Sequence, residues 1–101
     1  MNYDLFGLDQ STRQKIKQVL DQLHDIDEAV IYGSRAKGNY RPGSDIDISL
    51  KGNSLTLKEL NRIELELDEL DLPYHLDVSI YHQIDNAELV KHIDRVGMQF
   101  K

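Results

Sequence analysis

The sequence contains no cysteine and only two prolines among its 101 residues. Disulfides are therefore excluded, and a zinc site would need histidine or carboxylate ligands, which show no recognisable metal-binding spacing here. No apolar run approaches the roughly 18 residues that would span a membrane. The first ten residues include Asp4 and Asp9, unlike a signal peptide. These absences predict a cytoplasmic protein that does not associate with a membrane.

Basic residues are also scarce, since 12 lysines and arginines face 18 aspartates and glutamates, giving a formal net charge of −6. Affinity for duplex nucleic acid comes mainly from lysine and arginine contacts to phosphates. We therefore expect no stable duplex binding, which also disfavours a template-dependent polymerase. One window differs: residues 29–44 contain no carboxylate but include Arg35, Lys37 and Arg41. Because this basic window ends at an acidic cluster, it suits a polyanion bound together with metal ions.

The length predicts one domain covering residues 1–101, with a modest margin of stability. Helical and alternating apolar patterns predict the element order α-β-α-β-α-β-α, with a short edge strand at the C-terminus. The predicted fold class is α/β (α+β), a small mixed sheet of three or four strands with helices packed against it.

Local signals place the helix boundaries. Pro73 is predicted to end the third helix, and Gly97 to end the last helix in a left-handed conformation. Capping boxes are predicted at three helix starts. The predicted pairs are Ser11 with Gln14, Thr56 with Glu59, and Asp85 with Glu88.

The first predicted strand, residues 29–32, ends at Gly33-Ser34, where Ser34 can cap a short helix. A helix start presents free backbone N–H groups and a partial positive charge, which together attract an anion. Gly33 lets the backbone approach phosphate closely, and the Ser34 hydroxyl adds a donor. Three basic residues are near enough in the sequence to neutralise a triphosphate: Arg35, Lys37 and Arg41. The sequence therefore predicts a phosphate-binding turn.

Two later strands carry aspartates on their polar faces. Residues 45–50 alternate strictly, so Asp45 and Asp47 project from one face about 6.5–7 Å apart. Carboxylates this close repel each other, and a divalent cation such as Mg²⁺, or alternatively Mn²⁺, removes the conflict. If the third strand, residues 74–81, pairs beside this one, Asp77 joins them. Three carboxylates can hold two ions roughly 3.5–4 Å apart, which stabilises attacking and leaving oxygens in phosphoryl-type transfer.

Simpler interpretations of these residues stay open. The aspartates could form an exposed strand face, and each basic residue could be a solubilising surface charge. Ser44 is included among the nucleotide-binding candidates, although it could serve only to cap or turn its loop. Tyr32 is interpreted as a core residue. The histidines are interpreted as surface or structural residues: His24, His75, His82 and His92.

Gly33-Ser34, followed after ten residues by Asp45-Ile46-Asp47, resembles the defining motif of the polymerase-β-type nucleotidyltransferase superfamily. Further stretches resemble its minimal nucleotidyltransferase (MNT) branch: residues 32–38, 43–48, 76–78 and 95–97. The resemblance therefore runs over most of the chain and implies a polymerase-β-like nucleotidyltransferase fold.

The resemblance also implies a role for each motif residue. Gly33 and Ser34 would hold the β- and γ-phosphates of an NTP. Asp45 and Asp47 would ligate both metal ions, and Asp77 would ligate the catalytic ion and help to activate the attacking hydroxyl. The implied reaction is in-line attack at the α-phosphate with pyrophosphate leaving.

Members of this branch resemble halves of two-protein systems, paired with a small all-helical partner of the HEPN or substrate-binding type. Some such pairs are toxin–antitoxin modules. The implied function is transfer of NMP, AMP from ATP above all, to an acceptor hydroxyl presented by the partner. The alternative is a non-catalytic antitoxin that neutralises its partner by contact alone. The intact aspartates favour the enzyme, and its acceptor could be a protein hydroxyl, a small alcohol or a nucleic-acid end.

Overall fold

The structure is a computed structural model that describes residues 5–101, so Asp4 lies outside the described residues. The elements follow in the predicted order, with two added 3₁₀ turns, Leu5–Gly7 and Tyr81–Gln83. The helices are α1 (Gln10–Leu20), α2 (Ser34–Lys37), α3 (Leu57–Asp68) and α4 (Ala87–Val96). The strands are β1 (Glu28–Tyr32), β2 (Ile46–Lys51), β3 (Leu76–Ile80) and β4 (Met98–Gln99). None of the helices described here has the length and apolar character needed to cross a bilayer.

The start of α3 matches its prediction. The Thr56 hydroxyl accepts from the Glu59 backbone N–H at 3.3 Å, and the Glu59 carboxylate accepts from the Thr56 N–H at 3.1 Å. The end of this helix differs, because α3 ends at Asp68, before the predicted terminator Pro73. The chain then turns through Asp71, which has a left-handed φ of 52°.

The other two predicted capping boxes, at Ser11 and Asp85, are wrong. Helix α1 is capped by Asp9, whose carboxylate accepts from the Thr12 N–H at 2.8 Å. Helix α4 is capped by the side-chain oxygen of Asn86. In both cases a neighbouring short polar side chain reaches the free N–H groups of the first turn, which is all that an N-cap requires.

The end of α4 also differs from its prediction. Gly97 is extended, with φ −63° and ψ 143°, and not left-handed. Glycine is needed for a different reason: a Cβ would overlap the Ile93 carbonyl oxygen and would lie 2.5 Å from Cγ1 of Val30. The absent side chain lets the backbone after α4 turn directly onto the sheet and enter β4.

The sheet has the strand order β3-β2-β1-β4. Strand β1 is antiparallel to both β2 and β4, whereas β2 and β3 are parallel. The predicted mixed sheet is therefore confirmed, and so is the C-terminal edge strand. In this register Asp47 lies opposite Asp77 on one side and opposite Tyr32 on the other.

The two faces of the sheet differ sharply. On the core face, Ile31 and Ile48 are fully buried in a cluster that includes side chains of α1 and α3. The opposite face, called the polar face below, contains a smaller cluster in which Ile93 of α4 joins Val30 and Tyr32 of β1. Helix α4 packs on β1. Along β2 and β3 this face carries polar side chains. They are Asp47, Ser49, Asp77 and Ser79.

Candidate active site

Strand β1 ends in a turn that only glycine can adopt without strain. Gly33 has φ 74° and ψ −154°, a region essentially restricted to glycine. A Cβ on Gly33 would lie 2.5 Å from Oδ2 of Asp47. The missing side chain therefore lets the Asp47 carboxylate lie directly against the turn. Gly33 is also the N-cap of α2, so Ser34 is the first helical residue and not the predicted cap.

The three candidate carboxylates are not equally placed. Asp47 is half-buried in β2, and Asp77 is exposed at the matching position of β3. Neighbouring strands lie about 4.8 Å apart, so these two side chains rise side by side from the polar face. Asp45 is exposed just before β2 begins. The fold thus brings Asp47 and Asp77 together and leaves Asp45 at the solvent edge of the same site.

The electrostatic environment of Asp47 is unfavourable for its charge. Burial raises the pKa of this carboxyl above its ordinary value, and the negative charges of Asp77 and Asp45 raise it further. His75 and His92 act in the opposite direction. Within residues 5–101, no lysine or arginine forms an ion pair with any of the three aspartates. The cluster therefore carries negative charge that no side-chain cation balances.

A hard divalent cation fits this donor set. Mg²⁺ and Mn²⁺ prefer carboxylate oxygens and fill their remaining positions with water or phosphate. The pKa of Asp47 is raised chiefly by burial and further by repulsion from Asp77 and Asp45, and such an ion would relieve this repulsion. In the described part of the chain, no three acidic or histidine side chains are grouped closely enough to hold a metal ion as they stand. Asp47 and Asp77 are the pair that the fold aligns, and Asp45 has to turn toward them to complete a set of three.

Arg35 has a different environment from the one predicted. Only 2% of its surface is exposed. Its guanidinium donates to the Ser44 carbonyl at 2.8 and 3.1 Å and to the Phe6 carbonyl at 2.9 Å. The same group lies 5.3 Å from the ring centre of Tyr40 and 4.8 Å from that of Tyr74. The prediction of a phosphate contact is not supported by this placement, because the donors of Arg35 are used to hold two loops together.

The remaining candidates of the basic window lie at the surface. Lys37 and Arg41 are exposed and form no ion pair among the described residues. The Ser44 hydroxyl accepts from the Arg41 N–H at 2.8 Å, and the Ser44 N–H donates to the Arg41 carbonyl at 2.9 Å. Ser44 thus closes a tight turn, which is its simpler interpretation. The nucleotide-binding role of Lys37 and Arg41 therefore stays a prediction.

Three residues that were not predicted as site residues lie near the carboxylates: Tyr32, His75 and His92. Tyr32 is buried, and its pKa is raised chiefly by burial, with smaller contributions from the charges of Asp77 and Asp47. The ring of His92 contacts Tyr32 edge-on, with the centroids 6.1 Å apart. His75 has a sequence signal, because strand alternation puts it on the same face as Asp77. His92 has none, since only the packing of α4 on β1 brings it near.

Two cavities lie away from this site. One groove of about 540 Å³ runs between α3 and β3, and a smaller cavity of about 290 Å³ lies beside Tyr40 and Arg41. Neither is lined by Gly33, Asp47 or Asp77. Neither cavity therefore encloses the carboxylates, of which Asp45 and Asp77 are exposed and Asp47 is half-buried.

The family model described as "Polymerase beta, Nucleotidyltransferase" matches residues 14–100 of this chain. The match includes the Gly33 turn and all three aspartates. No curated protein matches the chain in sequence.

Three solved structures, all described as a toxin–antitoxin, share the fold. A mutant of MntA–HpeT in which two aspartates two positions apart are replaced by glutamate has 18% identity and a TM-score of 0.69, covering 88% of this chain and 71% of that one. A toxin–antitoxin with AMP-PNP has 22% identity and a TM-score of 0.66, with coverages of 88% and 72%. MntA–HepT has 20% identity and a TM-score of 0.66, with coverages of 91% and 71%. At these identities the likeness establishes the fold, and the predicted nucleotidyltransferase fold is confirmed.

Proposed function

The chain belongs to the polymerase beta nucleotidyltransferase family, and from that premise we propose that it transfers AMP from ATP to an acceptor hydroxyl with release of pyrophosphate. The acceptor is presented by a small all-helical partner protein. The observation that carries this proposal is the alignment of Asp47 and Asp77 on neighbouring strands, with Asp47 against the Gly33 turn.

In this proposal, the turn and the carboxylates divide the work. Gly33 and Ser34 receive the β- and γ-phosphates at the start of α2, and the exposed Lys37 and Arg41 add positive charge. Asp45, Asp47 and Asp77 would hold Mg²⁺ or Mn²⁺, which neutralises charge on the attacking and leaving oxygens.

The bond changes of the proposed reaction balance without a further reactant. The acceptor oxygen forms a bond to the α-phosphorus, and the bond from that phosphorus to the pyrophosphate oxygen breaks. The hydroxyl proton passes to the carboxylate of Asp77, which is exposed and so accessible to an acceptor. The residues contribute mainly by positioning and by charge neutralisation.

Two further observations support a partner and a nucleotide. Asp45 and Asp77 are exposed, so an acceptor delivered by another chain can reach them. Proteins of the same fold are described as toxin–antitoxin complexes, one of them with AMP-PNP. The mutated aspartates of another relative have the same spacing as Asp45 and Asp47.

A non-catalytic antitoxin is the second candidate. It is favoured by the absence, within residues 5–101, of a preformed group of three metal ligands. In that case, the chain would neutralise its partner by forming a complex, and the aspartates would contribute only surface charge.

The test is transfer of label from α-³²P-ATP in the presence of Mg²⁺ and the protein encoded by the adjacent reading frame. We expect label on a protein chain, lost in Asp47→Asn and retained in the matched surface variant Asp27→Asn. A tight complex without label, with no nucleotide binding by calorimetry, would contradict the enzyme and support the antitoxin scaffold.

A further inference from the structure

We propose that the groove between α3 and β3 docks a cationic, leucine-rich amphipathic segment of a partner chain. The inference goes beyond nucleotidyl transfer and does not depend on it, because none of the three aspartates lines the groove. Leu76 and Val78 of β3 line the groove, whereas Asp77 between them belongs to the polar face. The groove therefore shares no residue with the three aspartates, although His75, which lines it, contributes to the electrostatic environment of Asp47.

The groove offers a preformed surface that combines apolar and polar side chains. Its volume is about 540 Å³, and its walls are the side of α3 and the chain from Asp71 into β3. Leu67 and Val78 in its lining are buried members of the main core, so the floor is fixed by the fold. At the groove, Leu65 has 67% of its surface exposed. Leu65 therefore offers an occupant of the groove an exposed apolar contact beside its buried apolar floor.

The charge of the groove selects the kind of occupant. Glu64, Asp68 and Asp71 line it together with His75, and no lysine or arginine of the described residues does. None of these three carboxylates forms an ion pair with another described residue. A triphosphate or an anionic lipid would be repelled by this rim. A segment that combines apolar side chains with lysine or arginine satisfies the leucines and the carboxylates together.

The position of the groove also suits a partner chain. Strand β3 is at one end of the sheet among the described strands, so its outer edge is next to the groove. An amphipathic helix laid along α3 can place its apolar side chains in the groove and its cations against the rim. Binding of this kind is stronger at low ionic strength, because fewer dissolved ions then screen the exposed charges of the rim.

The experiment uses a fluorescein-labelled helical peptide with leucine on one face and lysine on the other, titrated with the full chain and followed by anisotropy. Leu65→Glu is expected to weaken binding by about tenfold, which corresponds to roughly 1.4 kcal/mol. The matched control is Leu57→Glu. Leu57 lies on the same helix and is 62% exposed, but it does not line the groove. We expect binding to Leu57→Glu to equal that of the parent chain.

A second pair of variants tests the rim. Glu64→Lys should weaken the peptide and flatten its dependence on salt, whereas Glu69→Lys makes the same change of net charge outside the groove and should not. Asp47→Asn should bind the peptide normally, which separates this inference from the failure of catalysis. Circular dichroism checks that each variant is folded.

Three outcomes would overturn the inference. The first is equal affinity of Leu65→Glu and Leu57→Glu for the peptide, or no measurable binding to the parent chain. The second is equal binding of a peptide with glutamate in place of lysine. The third is a concentration-dependent dimer of the chain alone that Leu65→Glu abolishes, because the occupant would then be a second copy.

Discussion

The two faces of one sheet serve different ends. The core face is lined by Ile31, Ile46 and Ile48, which have no exposed surface. The polar face of the same strands carries Asp47 and Asp77, whose charges repel each other without a balancing side-chain cation in the described residues. Because strand side chains alternate, a stabilising residue and a destabilising one are neighbours in the chain. This fold therefore keeps an electrostatically unfavourable group of aspartates at the expected active site, and burial of apolar side chains on the core face offsets its cost.

The largest expected effect comes from the core face. Ile48→Ala removes a fully buried side chain and should lower the free energy of unfolding by about 2–5 kcal/mol. The transfer rate of the molecules that remain folded should be unchanged, because Ile48 points away from the carboxylates. Urea unfolding and single-turnover assays below the melting temperature measure both. A rate loss that is not explained by unfolding would break the division between the faces.

The neighbouring residue should behave in the opposite way. Asp47→Asn is expected to lower the metal-dependent transfer rate by at least about 10²-fold, which is the size of effect seen when one electrostatic group of an active site is removed. Its free energy of unfolding should not fall, because the substitution removes a charge that is repelled by Asp77 and Asp45. A variant that unfolds more easily but keeps its activity would assign Asp47 to the fold.

The sequence predicted much of this division, because alternation is a local property. The pattern of β2 assigned Ile46 and Ile48 to one face and Asp45 and Asp47 to the other, and the polymerase-β-type motif joined them to Gly33. The sequence could not show that Asp77 lies beside Asp47, because strand pairing depends on the tertiary fold and not on local alternation.

The environment of Arg35 could not be predicted from the sequence. Its charge and its place after Ser34 favour a phosphate contact, but the carbonyl of Phe6, far away in the chain, and the ring of Tyr74 capture its guanidinium. Neither contact leaves a local pattern. His92 was missed for the same reason, because it approaches Tyr32 only through the packing of α4 on β1.

The same division separates two basic residues of α2. Arg35→Lys keeps the charge but loses the fork of donors that holds Ser44 and Phe6, and should lower the free energy of unfolding by about 1–3 kcal/mol. Lys37→Gln, which removes a charge at an exposed position of the same helix, should leave stability unaltered and weaken Mg²⁺–ATP binding by only two- to fivefold, roughly 0.4–1 kcal/mol. Thermal unfolding and calorimetry distinguish the two. Equal effects of both variants on ATP binding would return Arg35 to the phosphate site.

The smallest expected effect is a dependence of stability on pH. The folded-state pKa of Asp47 is raised above its ordinary value of 3.8, chiefly by burial and then by Asp77 and Asp45. Without metal, folding therefore favours the protonated form of this carboxyl relative to the unfolded chain. Its contribution is fully present below pH 3.8 and is lost as pH rises through the raised folded value.

The difference in melting temperature between the parent chain and Asp47→Asn isolates this contribution from the other carboxylates. Without metal, the melting temperature of the parent should fall relative to that of Asp47→Asn as the pH rises above 3.8 and through the raised folded-state pKa of Asp47. Mg²⁺ at neutral pH should reverse the order, because it stabilises only the chain that keeps the carboxylate. A difference that does not vary with pH or with Mg²⁺ would contradict the electrostatic account of Asp47.

The central claim is that carboxylates from β2 and β3 and the Gly33 turn form one site for a metal-bound triphosphate. Titration of the ¹⁵N-labelled chain with Mn²⁺ and a non-hydrolysable ATP analogue tests it most directly, because the paramagnetic ion broadens only nearby amide signals. The account predicts selective broadening at Gly33, Ser34, Asp47 and Asp77, absent in Asp47→Asn, while α3 stays sharp. Broadening centred on the amide signals of the groove between α3 and β3 would contradict the account. So would broadening of the Asp47 signal without broadening of the Gly33 and Ser34 signals.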